Sequence, residues 1–112
     1  MTDKKYILDK NHNLVETDLI TWAKFFRSFE RIVKQENLSS GVEISTVFLG
    51  LDHNWGEGDP LLFETMIFGG DRNGKRWLWH TWEEAEKEHK KIVDELKFLN
   101  KDELKFLNKY DL

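Results

Sequence analysis

The sequence predicts an α+β domain, a three-stranded antiparallel meander packed against two helices with a minor N-terminal hairpin, and three observations carry that prediction. Two apolar runs, residues 42–51 and 61–68, flank one polar loop that opens with Asp52-His53-Asn54-Trp55. Asn73-Gly74, the dipeptide that best suits a tight hairpin, precedes a third strand-like run from Arg76 to His80. Two segments have helical rather than strand periodicity, one on each side of this strand block.

Taken in order, Tyr6-Ile7-Leu8-Asp9 reads as a short strand that meets the turn cluster Lys10-Asn11-His12-Asn13 before Leu14-Val15 resumes it, which is the pattern of an edge hairpin. Thr17 or Asp18 can cap the following helix. Within it Leu19, Trp22, Phe26, Phe29 and Val33 recur at spacings of three and four, so the helix is expected to run to about Glu36, with Asn37-Leu38-Ser39-Ser40-Gly41 ending it. In the run 42–51, Val42, Ile44, Thr46 and Phe48 share one face, while Val47, Leu49 and Leu51 make the other apolar toward its end. The run 61–68 behaves in the same way, with Glu64 as its lone acid. Thr81-Trp82-Glu83-Glu84 has the spacing of a capping box, so the second helix starts at Trp82, with Ala85, His89, Ile92, Val93 and Leu96 on its buried side. Both helices are expected on one face of the sheet.

The C-terminus carries a tandem duplication, in which Asp94 to Lys101 is repeated identically as Asp102 to Lys109. Eight residues are not a multiple of the helical repeat, so the second copy would face about 80° from the first. Continuation of the helix, a fold-back at Asn100 and a frayed tail are all compatible with this. Residues 1–99 therefore form a single domain and 100–112 a duplicated helical tail or extension. A tail exposing Phe106 and Leu107 would rest better against another subunit than in water.

Composition narrows the function classes. The 112-residue chain is long enough for one independent core and contains no Cys, which removes disulfides and thiolate metal sites. Seventeen basic against 21 acidic residues is the wrong balance for a general duplex-DNA binder. No apolar run approaches the roughly 20 residues needed to span a bilayer, and a cytosolic protein follows by default.

The residues able to carry chemistry gather in and around the 52–59 loop. Asp52, His53, Glu64 and His80 could ligate a metal or act as acid and base if they converged, although they lack any motif spacing. The competing reading has Asp52 and Asn54 capping the turn, His53 on the surface and Glu64 paired with a Lys or Arg. Trp55, Trp77, Trp79 and Trp82 could offer stacking surfaces, or Trp77, Trp79 and Trp82 could pack beneath the helices. Gly56-Glu57-Gly58 is turn glycine rather than a phosphate loop, because neither a helix start nor a Gly-Lys-Ser/Thr ending follows. His12 and His89 read as a turn residue and a helix-face residue.

Several blocks carry a resemblance: Tyr6-Ile7-Leu8-Asp9, the early helix with Trp22-Ala23 and Phe26, the run Ser45-Thr46-Val47-Phe48-Leu49-Gly50-Leu51-Asp52-His53-Asn54, the run from Pro60 through Leu61-Leu62-Phe63-Glu64-Thr65-Met66 to Gly70, and Thr81-Trp82-Glu83-Glu84-Ala85 to His89. Over roughly residues 6 to 93 the chain resembles a family of small proteins encoded by tailed bacteriophages. The resemblance implies a phage origin, residence in the cytoplasm of the infected bacterial host and little chemistry; the duplicated tail is not part of the pattern. By analogy with small non-structural phage proteins, the expected function is a non-catalytic accessory protein. It would antagonise a host factor, either a host defence protein or a small nucleotide immune signal, by binding or sequestration in a counter-defence role.

The expected contact residues are Asp52, His53, Asn54, Trp55, Glu64, Arg76, Trp79 and His80, with no catalytic residue, metal or cofactor. In the nucleotide version Trp55 stacks on a base and Arg72, Lys75 and Arg76 fold over to meet phosphates; in the protein version Trp55 anchors an interface. Partners would include neither duplex DNA nor membrane, and the chain is expected to form a homo-oligomer. The alternatives are a small metal-assisted hydrolase built on Asp52, His53, Glu64 and His80, and a phage structural or assembly protein.

Overall fold

The structure, a computed structural model, describes residues 4–54 and 56–110, with side chains as far as Lys97. Its elements are β1 (Lys5–Leu8), β2 (Leu14–Thr17), α1 (Leu19–Phe26), a 3-10 turn (Phe29–Arg31), β3 (Ile32–Asn37), β4 (Glu43–Phe48), β5 (Phe63–Phe68), β6 (Arg76–Trp79) and α2 (Trp82–Tyr110). The class is α+β, with β1 and β2 forming the expected hairpin and the other strands a four-stranded antiparallel sheet in the order β3-β4-β5-β6.

The fourth strand corrects the sequence reading. The helix expected to reach Glu36 stops at Phe26, and residues 32–37 form β3 instead. Asp18 caps the start of α1, its carboxylate accepting from the Thr21 N–H at 2.7 Å. At the other end the Ser28 hydroxyl donates to the Phe25 carbonyl at 2.7 Å, a side-chain bond that closes the last turn locally. Beyond it, β-branched Ile32 and Val33 favour an extended chain, and pairing with β4 supplies the ladder. Segment 37–41 is a hairpin turn rather than a helix end: Leu38 N–H donates to Val42 C=O, Gly41 N–H donates to Leu38 C=O, and Gly41 adopts φ +88°.

α2 covers one face of the sheet. Ile44 and Ile67 meet Ile92 and Val93 in one cluster, and Phe48, Leu62 and Phe63 meet Leu8 and Ala85 in another. α1 packs against β1 and enters this core through Phe25, whose ring meets Phe48 edge-on at 5.8 Å. The N-terminal hairpin is tied down where the Tyr6 N–H donates to the Gly50 carbonyl and the Trp22 indole to the Leu49 carbonyl. Gly50 is required there: its φ is +73°, and a Cβ would stand 2.5 Å from the Trp22 indole nitrogen and 2.6 Å from the Tyr6 carbonyl oxygen.

The start of α2 follows the sequence closely. Glu84 N–H donates to Thr81 Oγ1 at 3.1 Å, and the Glu84 carboxylate reaches back to the His80 N–H at 3.3 Å. Ala85, His89, Ile92 and Val93 are buried. Through the duplicated octapeptides the backbone remains helical to Tyr110, so the continuation is the alternative realised. The side chains of Phe106 and Leu107 lie outside the described residues. No helix is long and apolar enough to cross a membrane among the residues described.

Candidate functional site

The loop between β4 and β5 holds itself in shape. Asp52 Oδ1 accepts from the Asn54 N–H at 2.8 Å and from the Leu61 N–H at 3.0 Å, bridging the two ends of the loop. His53 N–H donates to the Leu61 carbonyl. Asn54 works from inside: its amide nitrogen donates to the carbonyls of Asp59 (3.0 Å) and Glu57 (3.4 Å), while its Oδ1 accepts from the Gly56 N–H. His80, at the end of β6, sets Nδ1 3.0 Å from the Pro60 carbonyl and so pins the loop's far side. Asp52 and Asn54 thus brace the loop, as the turn-capping reading has it, and His80 joins them, a role the sequence did not suggest. His53 is half-buried, and Glu57 and Asp59 are exposed. Trp55 lies outside the described residues.

The remaining candidates separate across the sheet. Alternation along β5 places Glu64 on the face opposite α2, where it pairs with Arg76 at 3.4 Å. This open face also carries Ser45, Val47, Met66 and Phe68. Trp79 lies on the helix-covered face, its indole donating to Thr65 Oγ1 at 2.9 Å. Loop, open face and covered face therefore divide the seven expected contact residues that are described. Among the described residues no three His, Asp or Glu side chains gather as metal ligands would.

Two histidines that sequence reasoning passed over do more than their expected roles. His12, at φ +64° in the β1–β2 turn, stacks on Trp82 with ring centroids 3.6 Å apart and planes within 9°. It fixes the hairpin against the start of α2. His89 is fully buried and joins a polar chain through the core. The Trp79 indole meets Thr65 Oγ1, Thr65 Oγ1 lies 2.6 Å from Thr46 Oγ1, Thr46 Oγ1 lies 2.6 Å from His89 Nδ1, and His89 Nε2 stands 3.3 Å from Glu36 Oε1.

Donor counting orients this chain. The Glu36 carboxylate can only accept, which puts the imidazole proton on Nε2; Nδ1 then accepts from Thr46, Thr46 accepts from Thr65, and Thr65 accepts from the Trp79 indole N–H. That Nε2–H faces the carboxylate at 3.3 Å without meeting hydrogen-bond geometry. The opposite tautomer would turn a lone pair toward the carboxylate. Burial holds the His89 imidazole below its ordinary value of 6.5, against the opposing pull of Glu36.

Acid, imidazole and hydroxyl in sequence resemble the hydroxyl-activating arrangement of hydrolases. Thr46, however, has no exposed surface and its hydroxyl is engaged on both sides. The chain therefore ties β3, β4, β5, β6 and α2 together through the core. The available signal was two Thr at facing positions of neighbouring apolar strands and a His within an apolar helical stripe, three polar groups needing partners in one core. No protein-family model matches this chain, and no curated protein or solved structure matches it either.

Proposed function

We propose that this protein acts by binding, as a phage accessory factor that occupies a host protein and thereby antagonises it, and that the 52–60 loop is its recognition element. The carrying observation is the loop's internal bonding, with Asp52 joining its two ends and Asn54 bracing its interior. A loop already held in one conformation loses little further entropy on docking. It presents Glu57 and Asp59 at exposed positions and contains no Lys or Arg between Leu49 and Leu61. That charge favours a partner surface rich in cations or N–H donors over a phosphate-bearing nucleotide. Sequestration of a small nucleotide is the second reading, and it would draw on Arg76 and its neighbours from the next turn.

The test compares proteins co-purifying from the bacterial host with the wild-type chain and with the Glu57→Lys/Asp59→Lys variant, alongside native mass spectrometry for retained small molecules. A host protein held by the wild type and lost from the folded variant supports the reading. A retained nucleotide with no protein replaces it with sequestration. Equal recovery with both chains removes the loop from the interface.

A further inference from the structure

We infer that β3 is a self-association edge, and that two copies of this chain join there about a two-fold axis at Gln35 to form one continuous eight-stranded antiparallel sheet. β3 ends the sheet order, so among the described residues one side of its backbone has no strand partner. Its register identifies the free groups. Leu38 N–H donates to Val42 C=O across the β3–β4 ladder, and antiparallel pairs alternate between bonded and non-bonded positions. Glu36 and Lys34, opposite Ile44 and Thr46, therefore turn their peptide groups toward β4, whereas Gln35 and Asn37 turn theirs outward.

The side chains along that edge complement their own copy. With Gln35 facing Gln35 across the axis, each Lys34 lies opposite Glu36 of the second copy, so opposite charges meet twice in directly facing positions. The alternation places Lys34 and Glu36 on the face that bears α2, where both border a groove of about 600 Å³ between β3 and the helix. Within one chain their ion pair is long, 3.9 Å, with Lys34 exposed. Glu36 also stands beside the incompletely satisfied His89 Nε2. A second copy's Lys34 would bring a cation to this carboxylate. A perpendicular two-fold keeps both α2 helices on the same side of the joined sheet, flanking the seam. The irregularity between Ile32 and Lys34 limits the pairing zone to its central residues. This is an isologous interface built from main-chain bonds, with register set by a charge pair.

The experiment measures oligomeric state by size-exclusion chromatography with light scattering at about 100 μM, for wild type and two variants. Wild type is expected at twice the chain mass. Gln35→Pro removes one outward N–H without breaking the β4 ladder, and should run as a monomer with unchanged far-UV circular dichroism. Lys34→Glu, which sets like charges opposite each other, should raise the dimer dissociation constant by about tenfold or more. The absence of native Cys allows a check on the axis itself: Gln35→Cys should form an intermolecular disulfide on mild oxidation, since facing Cα atoms about 5.5 Å apart are within bridging range, while Ser40→Cys at the hairpin tip should not. A monomeric wild type, a dimer that survives Gln35→Pro, or equal cross-linking at 35 and 40 overturns the inference. Should Gln35→Pro fail to fold, the cross-linking pair decides.

Discussion

Replacing Thr46 by Val preserves volume and β-branching at a position with no exposed surface, and removes one hydroxyl from the core chain. That hydroxyl accepts from Thr65 and donates to His89 Nδ1, each at 2.6 Å. Without it the Thr65 proton and the Nδ1 lone pair both lose their partners in the interior. Each orphaned buried group costs about 1–3 kcal/mol, so with two orphans Thr46→Val should destabilise the fold by about 2–6 kcal/mol. That is a substantial share of the roughly 5–15 kcal/mol of a typical domain. Urea unfolding followed by tryptophan fluorescence and far-UV circular dichroism measures it as a lower midpoint at unchanged slope. Adding His89→Leu removes the orphaned Nδ1 as well, while Thr65 is kept to accept from the Trp79 indole, so the double variant should recover part of the loss. A Thr46→Val chain within 0.5 kcal/mol of wild type would refute the reasoning, because the bonds would then be contributing nothing that water or repacking could not replace.

Acidification should weaken the fold through His89. Its imidazole is held neutral by burial, so the unfolded chain binds more protons: the contribution is complete above the ordinary value of 6.5 and declines as pH falls below it, by up to about 1.4 kcal/mol per pH unit until the folded group itself titrates. Urea midpoints between pH 7.5 and 5.5 should show this fall in wild type and much less of it in His89→Leu; parallel profiles would remove His89 as the cause. Gly50→Ala should destabilise by about 2 kcal/mol or more, since a positive φ and three contacts under 3 Å oppose the new methyl, and near-wild-type thermal stability would contradict the packing of Trp22 on that turn. Asp52→Ala should leave the melting temperature nearly unchanged while accelerating hydrogen exchange at the Asn54 and Leu61 amides, because the loop loses the carboxylate that joins its ends. Exchange that stays slow at both amides would mean the loop is held by something else.

Much of the architecture is local and was legible as such. Alternation identified β4 and β5, Thr81 and Glu84 marked the start of α2, and the Tyr6–Asp9 and Leu14–Val15 runs around a polar cluster gave the β1–β2 hairpin. Each is decided by backbone preferences and by side-chain periods of two or 3.6 residues, which neighbouring residues alone establish. Asp52 and Asn54 belong here too, since their bonds largely close over a short stretch of chain.

Segment 27–37 was not decidable in this way. Phe29 and Val33 continue a helical spacing, yet Phe29 is 88% exposed and Val33 sits in a strand. The outcome turned on a pairing partner from another part of the chain, β4, whose ladder rewards an extended backbone more than the isolated helical period rewards a coil of it. The role of His89 was equally hidden, because the residues it is linked with, Thr46 and Glu36 directly and Thr65 through Thr46, come from three different strands. Sequence by itself determined the class, most element starts and the self-bracing loop. Tertiary structure decided the fourth strand, the division of the loop and sheet candidates between faces, and the buried polar chain, since each depends on which distant segments meet and on what burial then demands of their polar groups.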